Sequence, residues 1–89
     1  MNPLDVAREA ALILANNPDR KTLAVAAGRL QRLRDGIRHV GGRWHLSPAA
    51  RRVVGSVPPD LARQRLEHAR QVVCLALTWL DEPPSARAA

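Results

Sequence analysis

Apolar positions recur at helical spacing along most of this chain, but residues 37–46 are patterned differently. In Ile37-Arg38-His39-Val40-Gly41-Gly42-Arg43-Trp44-His45-Leu46, two four-residue runs flank a glycine pair suited to a two-residue hairpin turn. Loop length sets the register, opposing Val40 to Arg43, His39 to Trp44, Arg38 to His45 and Ile37 to Leu46. Alternation then puts Ile37, His39, Trp44 and Leu46 on one face, and Arg38, Val40, Arg43 and His45 on the other. The first face is expected to be buried, with Trp44 beside Ile37 and Leu46 and His39 as a core histidine. The second carries positive charge. Gly36 supplies a break before the hairpin, and Ile, Val and Trp suit strands. The competing reading ends a helix at the glycine pair and gives an all-α bundle.

Four helical segments surround this hairpin. Asn2 and Pro3 signal the start of a first helix to about Asn16, with Asp5 and Glu9 toward its positive end. Leu4, Ala7, Ala11, Leu14 and Ala15 form one side, and Val6, Ala10 and Ile13 another, so contact with two neighbours is expected. Asn16-Asn17-Pro18-Asp19 opens a second helix to Asp35, whose apolar stripe is Leu23, Ala26, Ala27, Leu30 and Leu33. Lys21, Arg29 and Arg32 lie on its opposite side, while Arg34 falls inside the apolar arc and needs a partner or a route to solvent. Ser47-Pro48 starts a short helix to Val54, and Asp60 is expected to cap a long helix to Asp81, stopped by Pro83 and Pro84.

That last helix has an unusually wide apolar arc. Ala62, Leu66, Ala69, Val73, Ala76, Leu77 and Leu80 form one stripe, and Leu61, Val72, Leu75 and Trp79 extend it. The extension predicts a homodimer interface at those four residues. The other use of the stripe is packing within one chain.

Eighty-nine residues support one modest core, here a single domain over 1–81 with a flexible tail at 82–89. With Trp44 and Trp79 as the only aromatic residues, they are expected to anchor it. The formal net charge of +6 points to a polyanion or an acidic protein as partner, although an arginine- and alanine-rich composition also follows from GC-rich coding. A lone cysteine, Cys74, fits a reducing compartment, and the 10–15 apolar run is too short to span a bilayer. A cytoplasmic protein without membrane contact is expected.

The order of elements resembles a winged-helix DNA-binding domain of small bacterial transcription regulators. The resemblance is carried by Leu30-Gln31-Arg32-Leu33-Arg34-Asp35-Gly36-Ile37 and by Gly41-Gly42-Arg43-Trp44-His45-Leu46-Ser47-Pro48-Ala49-Ala50-Arg51. It covers a helix ending at glycine, a strand, a basic wing turn, an aromatic-x-leucine strand and a Ser-Pro helix start. Only one helix fits between the first helix and Gly36, so the fold expected is mainly α with one β-hairpin, a reduced winged-helix-like domain with a long C-terminal helix. The resemblance implies transcriptional control by duplex DNA binding, through Lys21, Arg29 and Arg32 on the helix and Arg38, Arg43 and His45 on the wing. Arginine suits this task because its guanidinium donates two parallel hydrogen bonds to phosphate or guanine. The alternative is a helical protein-binding module, an inhibitor or adaptor, engaging a partner through the apolar C-terminal helix.

Other chemistry is sparse in the sequence. His39 and His45 are predicted on opposite hairpin faces, and His68 is six residues from Cys74, so no zinc spacing is present. Asp5, Asp19 and Asp60 are explained by helix starts, and Glu67 by surface pairing with Arg63 or Arg70. Without a nucleophile motif, phosphate loop or dinucleotide fingerprint, neither catalysis nor a cofactor is expected.

Overall fold

The computed structural model describes residues 2–82. The described residues form four helices, α1 (Pro3–Ala15), α2 (Arg20–Asp35), α3 (Pro48–Val54) and α4 (Pro59–Asp81), and an antiparallel hairpin of β1 (Ile37–Val40) and β2 (Arg43–Leu46) between α2 and α3 in sequence. The fold is thus mainly α with one β-hairpin, and the all-α reading is excluded. Of the expected tail, residues 83–89 lie outside the described residues, while Glu82 follows α4 as its C-terminal cap.

Local chemistry sets most boundaries. Asn2 Oδ1 accepts from the Leu4 amide at 2.9 Å, Asp19 Oδ1 from Lys21 at 3.1 Å, and Ser47 Oγ from Ala50 at 3.1 Å, each satisfying an amide that the helix cannot. Asn17 makes the bend between α1 and α2 at φ 50°, a conformation asparagine tolerates. Asp60 does not cap α4. Pro58 occupies that position without a side-chain bond, and Pro59 takes the first helical turn because its fixed φ already suits it, leaving Asp60 one residue inside.

Helix α4, 23 residues and roughly 35 Å long, is the spine of the molecule. It gives the protein extents of 50 × 25 × 19 Å. Helices α1 and α2 pack along it, burying Val6, Ala10 and Leu23 against Val72, Val73 and Ala76. Toward its N-terminal end, Ile37 of the hairpin joins Ala50 and Val54 of α3 over Ala62, with Leu46, Val57 and Leu66 at the margin. Two small apolar clusters therefore share one helix.

Several sequence expectations change in this arrangement. Val72 belongs to the core within one chain, Leu75 and Trp79 pack half-buried against it, and Leu61 is 37% exposed, so most of the expected dimer stripe is used internally. Helix α1 meets chiefly α4 instead of two neighbours, and its outer side, with Leu4, Ala11 and Ala15, stays exposed. The largest fully buried side chain is Ile37, not a tryptophan.

The hairpin register is the predicted one, with Gly41 and Gly42 at φ 60° and 76° forming the turn. Its inner face is nevertheless only partly covered. Ile37 is 1% exposed at the base, whereas Trp44 is 36% exposed and His39, 4.7 Å away between ring centroids, is also exposed. Successive inward positions lie nearly 7 Å apart along a strand, which carries Trp44 and His39 past the apolar floor.

Candidate nucleic-acid interface

Two adjoining structures, the hairpin and the α2–α3 groove, hold the candidate basic side chains other than Lys21. On the hairpin, the cross-strand pairing of Arg38 with His45 and of Val40 with Arg43 places these four on the face turned away from Ile37, and all four are exposed. The base of the hairpin is fixed by the Ser47 amide, which donates to the Gly36 carbonyl at 2.8 Å. Gly36 has an ordinary helical φ of −74°, so glycine is needed there for space. A Cβ at that position would collide with Ser47 Oγ and stand 3.3 Å from the Ala50 Cβ. Close approach at Gly36 thus joins the end of α2 to the start of α3.

That junction forms one wall of an open groove of about 420 Å³ between α2 and α3, whose lining includes Arg29, Arg32, Leu33, Ser47, Arg52 and Val53. Arg29 and Arg32 were expected from the sequence; Arg52 was not. The signal that points to it is the absence of Asp and Glu from residues 36–59, a stretch that also contains Arg38, Arg43, Arg51 and Arg52. Lys21 is exposed but stands apart, eight residues and about 12 Å along the α2 axis from Arg29.

Four of the acidic residues, Glu9, Asp35, Glu67 and Asp81, pair with other cations. Arg34 Nη1 donates to Glu67 Oε2 at 2.5 Å and Nη2 to Asp35 at 2.9 Å, while Arg70 Nη2 donates to Glu67 Oε1 at 2.6 Å. This gives the arginine inside the apolar arc its partner. Hydrogen bonding from Arg70, opposed by partial burial and reinforced by Arg34, lowers the Glu67 pKa to about 2. The same bonding, first to Asp35 and then to Glu67, raises that of Arg34. Glu67 does not pair with Arg63. Asp81 pairs with Arg20 at 3.0 Å, and Glu9 with His68. By contrast, Lys21, Arg29, Arg32, Arg38, Arg43, His45 and Arg52 have no ion-pair partner among the described residues.

The described residues contain no cluster of His, Cys, Asp and Glu able to hold a metal ion, and no helix among them is long and apolar enough to cross a membrane. Cys74 is half-buried on α4, with Arg70 Nη1 at 4.0 Å from its sulfur. No family model, curated protein or solved structure matches the chain.

Proposed function

We propose that this protein binds duplex DNA in the cytoplasm as a small transcriptional regulator, with the hairpin as a wing and the α2 arginines on the phosphate backbone. The observation that carries the reading is the stretch 36–59, which holds four arginines and no carboxylate. Arg38, Arg43, Arg51 and Arg52 of this stretch, with Arg29 and Arg32 of the adjoining groove, lack carboxylate partners among the described residues, as do Arg8, Lys21, Arg63 and Arg65, whereas Arg20, Arg34 and Arg70 have them. Unpaired guanidinium groups in an acid-free stretch favour a polyanion, and phosphate contacts by Arg29, Arg32, Arg38, Arg43 and Arg52 would release condensed counterions.

Polarization binding to random-sequence duplex DNA across a salt series tests this. About five phosphate contacts give a log–log slope near 4.5 in magnitude, and Arg43→Ala lowers it by about one. No binding at low salt, or binding unaffected when Arg29, Arg32, Arg38 and Arg43 are all replaced, refutes the reading.

A protein-binding module is the second reading, and α1 favours it more than α4 does. Leu4 and Leu12 are 71% and 63% exposed on α1, a larger apolar exposure than Leu61 or Leu80 leaves on α4. A homodimer is proposed for that surface on the same ground, whereas an acidic protein partner would follow from the net charge of +6 and engage the basic hairpin and groove.

A further inference from the structure

Trp44 is the most unusual exposed side chain of the hairpin. Its indole lines an open cleft of about 450 Å³ between β2 and the first turns of α4, together with Arg34, Asp60, Arg63, Gln64 and Glu67. Arg34 and Glu67 are bound to each other and form a fixed wall. The side chains of Asp60, Arg63 and Gln64 make no hydrogen bond or ion pair among the described residues. The cleft therefore offers an aromatic surface beside a free carboxylate, a free amide and a free guanidinium.

We infer that this cleft seats a single unpaired nucleobase, stacked against Trp44, with Gln64 and Asp60 available to its edge and Arg63 to the attached phosphate. The inference rests on the nucleic-acid reading above and extends it from duplex to locally unpaired DNA. A planar heterocycle carries donors and acceptors around its rim, which matches a mixed amide and carboxylate edge better than an aliphatic side chain would. Base stacking on an aromatic side chain is sequence-tolerant because every base has a π-face.

Topology supplies the path. Among the described residues the sheet has two strands, which leaves one edge of β2 without a strand partner. Arg43 and Trp44 are adjacent on β2 and point to opposite faces. A nucleic-acid strand crossing that edge can keep a phosphate at Arg43 while one base turns inward to Trp44. The turn at Gly41 and Gly42 adds no side chain to obstruct it.

The test uses the full chain and three probes: a short single-stranded oligonucleotide, its blunt duplex, and that duplex with one unpaired adenine. Tryptophan emission and polarization are read together. The single strand and the bulged duplex should quench emission, and the blunt duplex should not. Trp44→Leu should abolish the quench, leaving Trp79 emission, and weaken single-strand binding about 5- to 100-fold with blunt-duplex binding unchanged; Trp44→Phe should retain most of the affinity. Arg63→Ala changes an exposed side chain without a partner and should weaken the same complexes without disturbing the fold. Absence of quenching, or unchanged single-strand affinity in both Trp44→Leu and Arg63→Ala, overturns this inference while duplex binding still stands. Failure of all three probes to bind at low salt overturns the duplex reading with it.

Discussion

Arg34 of α2 and Glu67 of α4 meet at 2.5 Å between the two apolar clusters, and Arg70 closes on the same carboxylate from one helical turn away. The contact ties α2 to α4 next to Leu66, at the margin of the second cluster. It also ends the charge of Arg34 locally, which separates this arginine from Arg29 and Arg32 on the same helix.

Acid sensitivity follows from that contact. The Glu67 pKa is lowered from 4.5 to about 2, so its contribution to stability is complete above pH 4.5 and is lost as pH falls toward 2, where the folded state also takes up the proton. The contribution is on the order of 1–3 kcal/mol for a group mostly shielded from solvent. Urea midpoints measured from pH 6 down to about 2 should fall across this window. Glu67→Gln should lower stability at pH 6 and flatten the decline.

The close approach at Gly36 predicts a coupled pair. Gly36→Ala should cost about 1–3 kcal/mol, because the new methyl overpacks against Ser47 and Ala50 without any backbone strain. Ser47→Ala alone should cost about 1 kcal/mol through loss of the α3 cap. Removing the hydroxyl also relieves the collision, so the double variant should be more stable than the sum of the two losses implies. Strict additivity in a denaturation cycle would show that the two sites do not meet.

Much of this architecture was legible because it is local. Asn2, Asp19 and Ser47 cap the helices they precede, and Gly41-Gly42 specifies both the turn and the register of the hairpin. What depends on distance along the fold was less legible. Alternation assigns Trp44 to the inner face but cannot say where the apolar floor ends, and helical spacing cannot say whether Val72 faces a partner or α1 and α2. Within the candidate interface, Arg29, Arg32, Arg38, Arg43 and His45 were identifiable from face sorting alone. Arg52 was not identifiable in this way, because its place beside Arg29 and Arg32 depends on α3 folding back beside α2.

The revised burial reverses an expected order of mutational cost. Ile37→Ala removes a fully buried side chain between α3 and α4 and should cost about 2–5 kcal/mol. Trp44→Ala should cost less than the roughly 3–5 kcal/mol of a fully buried aromatic, since a third of the residue already faces solvent. Thermal melts of the two variants should place Ile37→Ala lower. The opposite order would mean that Trp44 holds the hairpin to α4.

Helix α4 and helix α1 differ in how they should respond to a buried charge. Leu75 packs half-buried against Val72 and its neighbours, so Leu75→Glu should lower the melting temperature whatever the oligomeric state. Leu12 is exposed, and Leu12→Glu should leave the helical signal unchanged. Sedimentation equilibrium then separates the readings: a dimer that uses α1 shifts toward monomer in Leu12→Glu, and a dimer unaffected by it places the interface elsewhere.

Arg52 and Lys21 provide the sharpest internal comparison for DNA binding, because one was missed by sequence reasoning and the other chosen by it. Arg52 shares a groove with Arg29 and Arg32, whereas Lys21 lies in the first turn of α2, about 12 Å along the axis from Arg29. If the groove and the hairpin contact the backbone, Arg52→Ala should reduce the magnitude of the salt slope by about 0.9, the release expected for one phosphate. Lys21→Ala should leave the slope unchanged and alter affinity only slightly, through screened long-range attraction. Both variants replace exposed side chains without ion pairs, so their folds should be preserved and the comparison should report binding. Equal losses from both would extend the footprint along the whole of α2. A loss from Lys21→Ala alone would move it away from the groove.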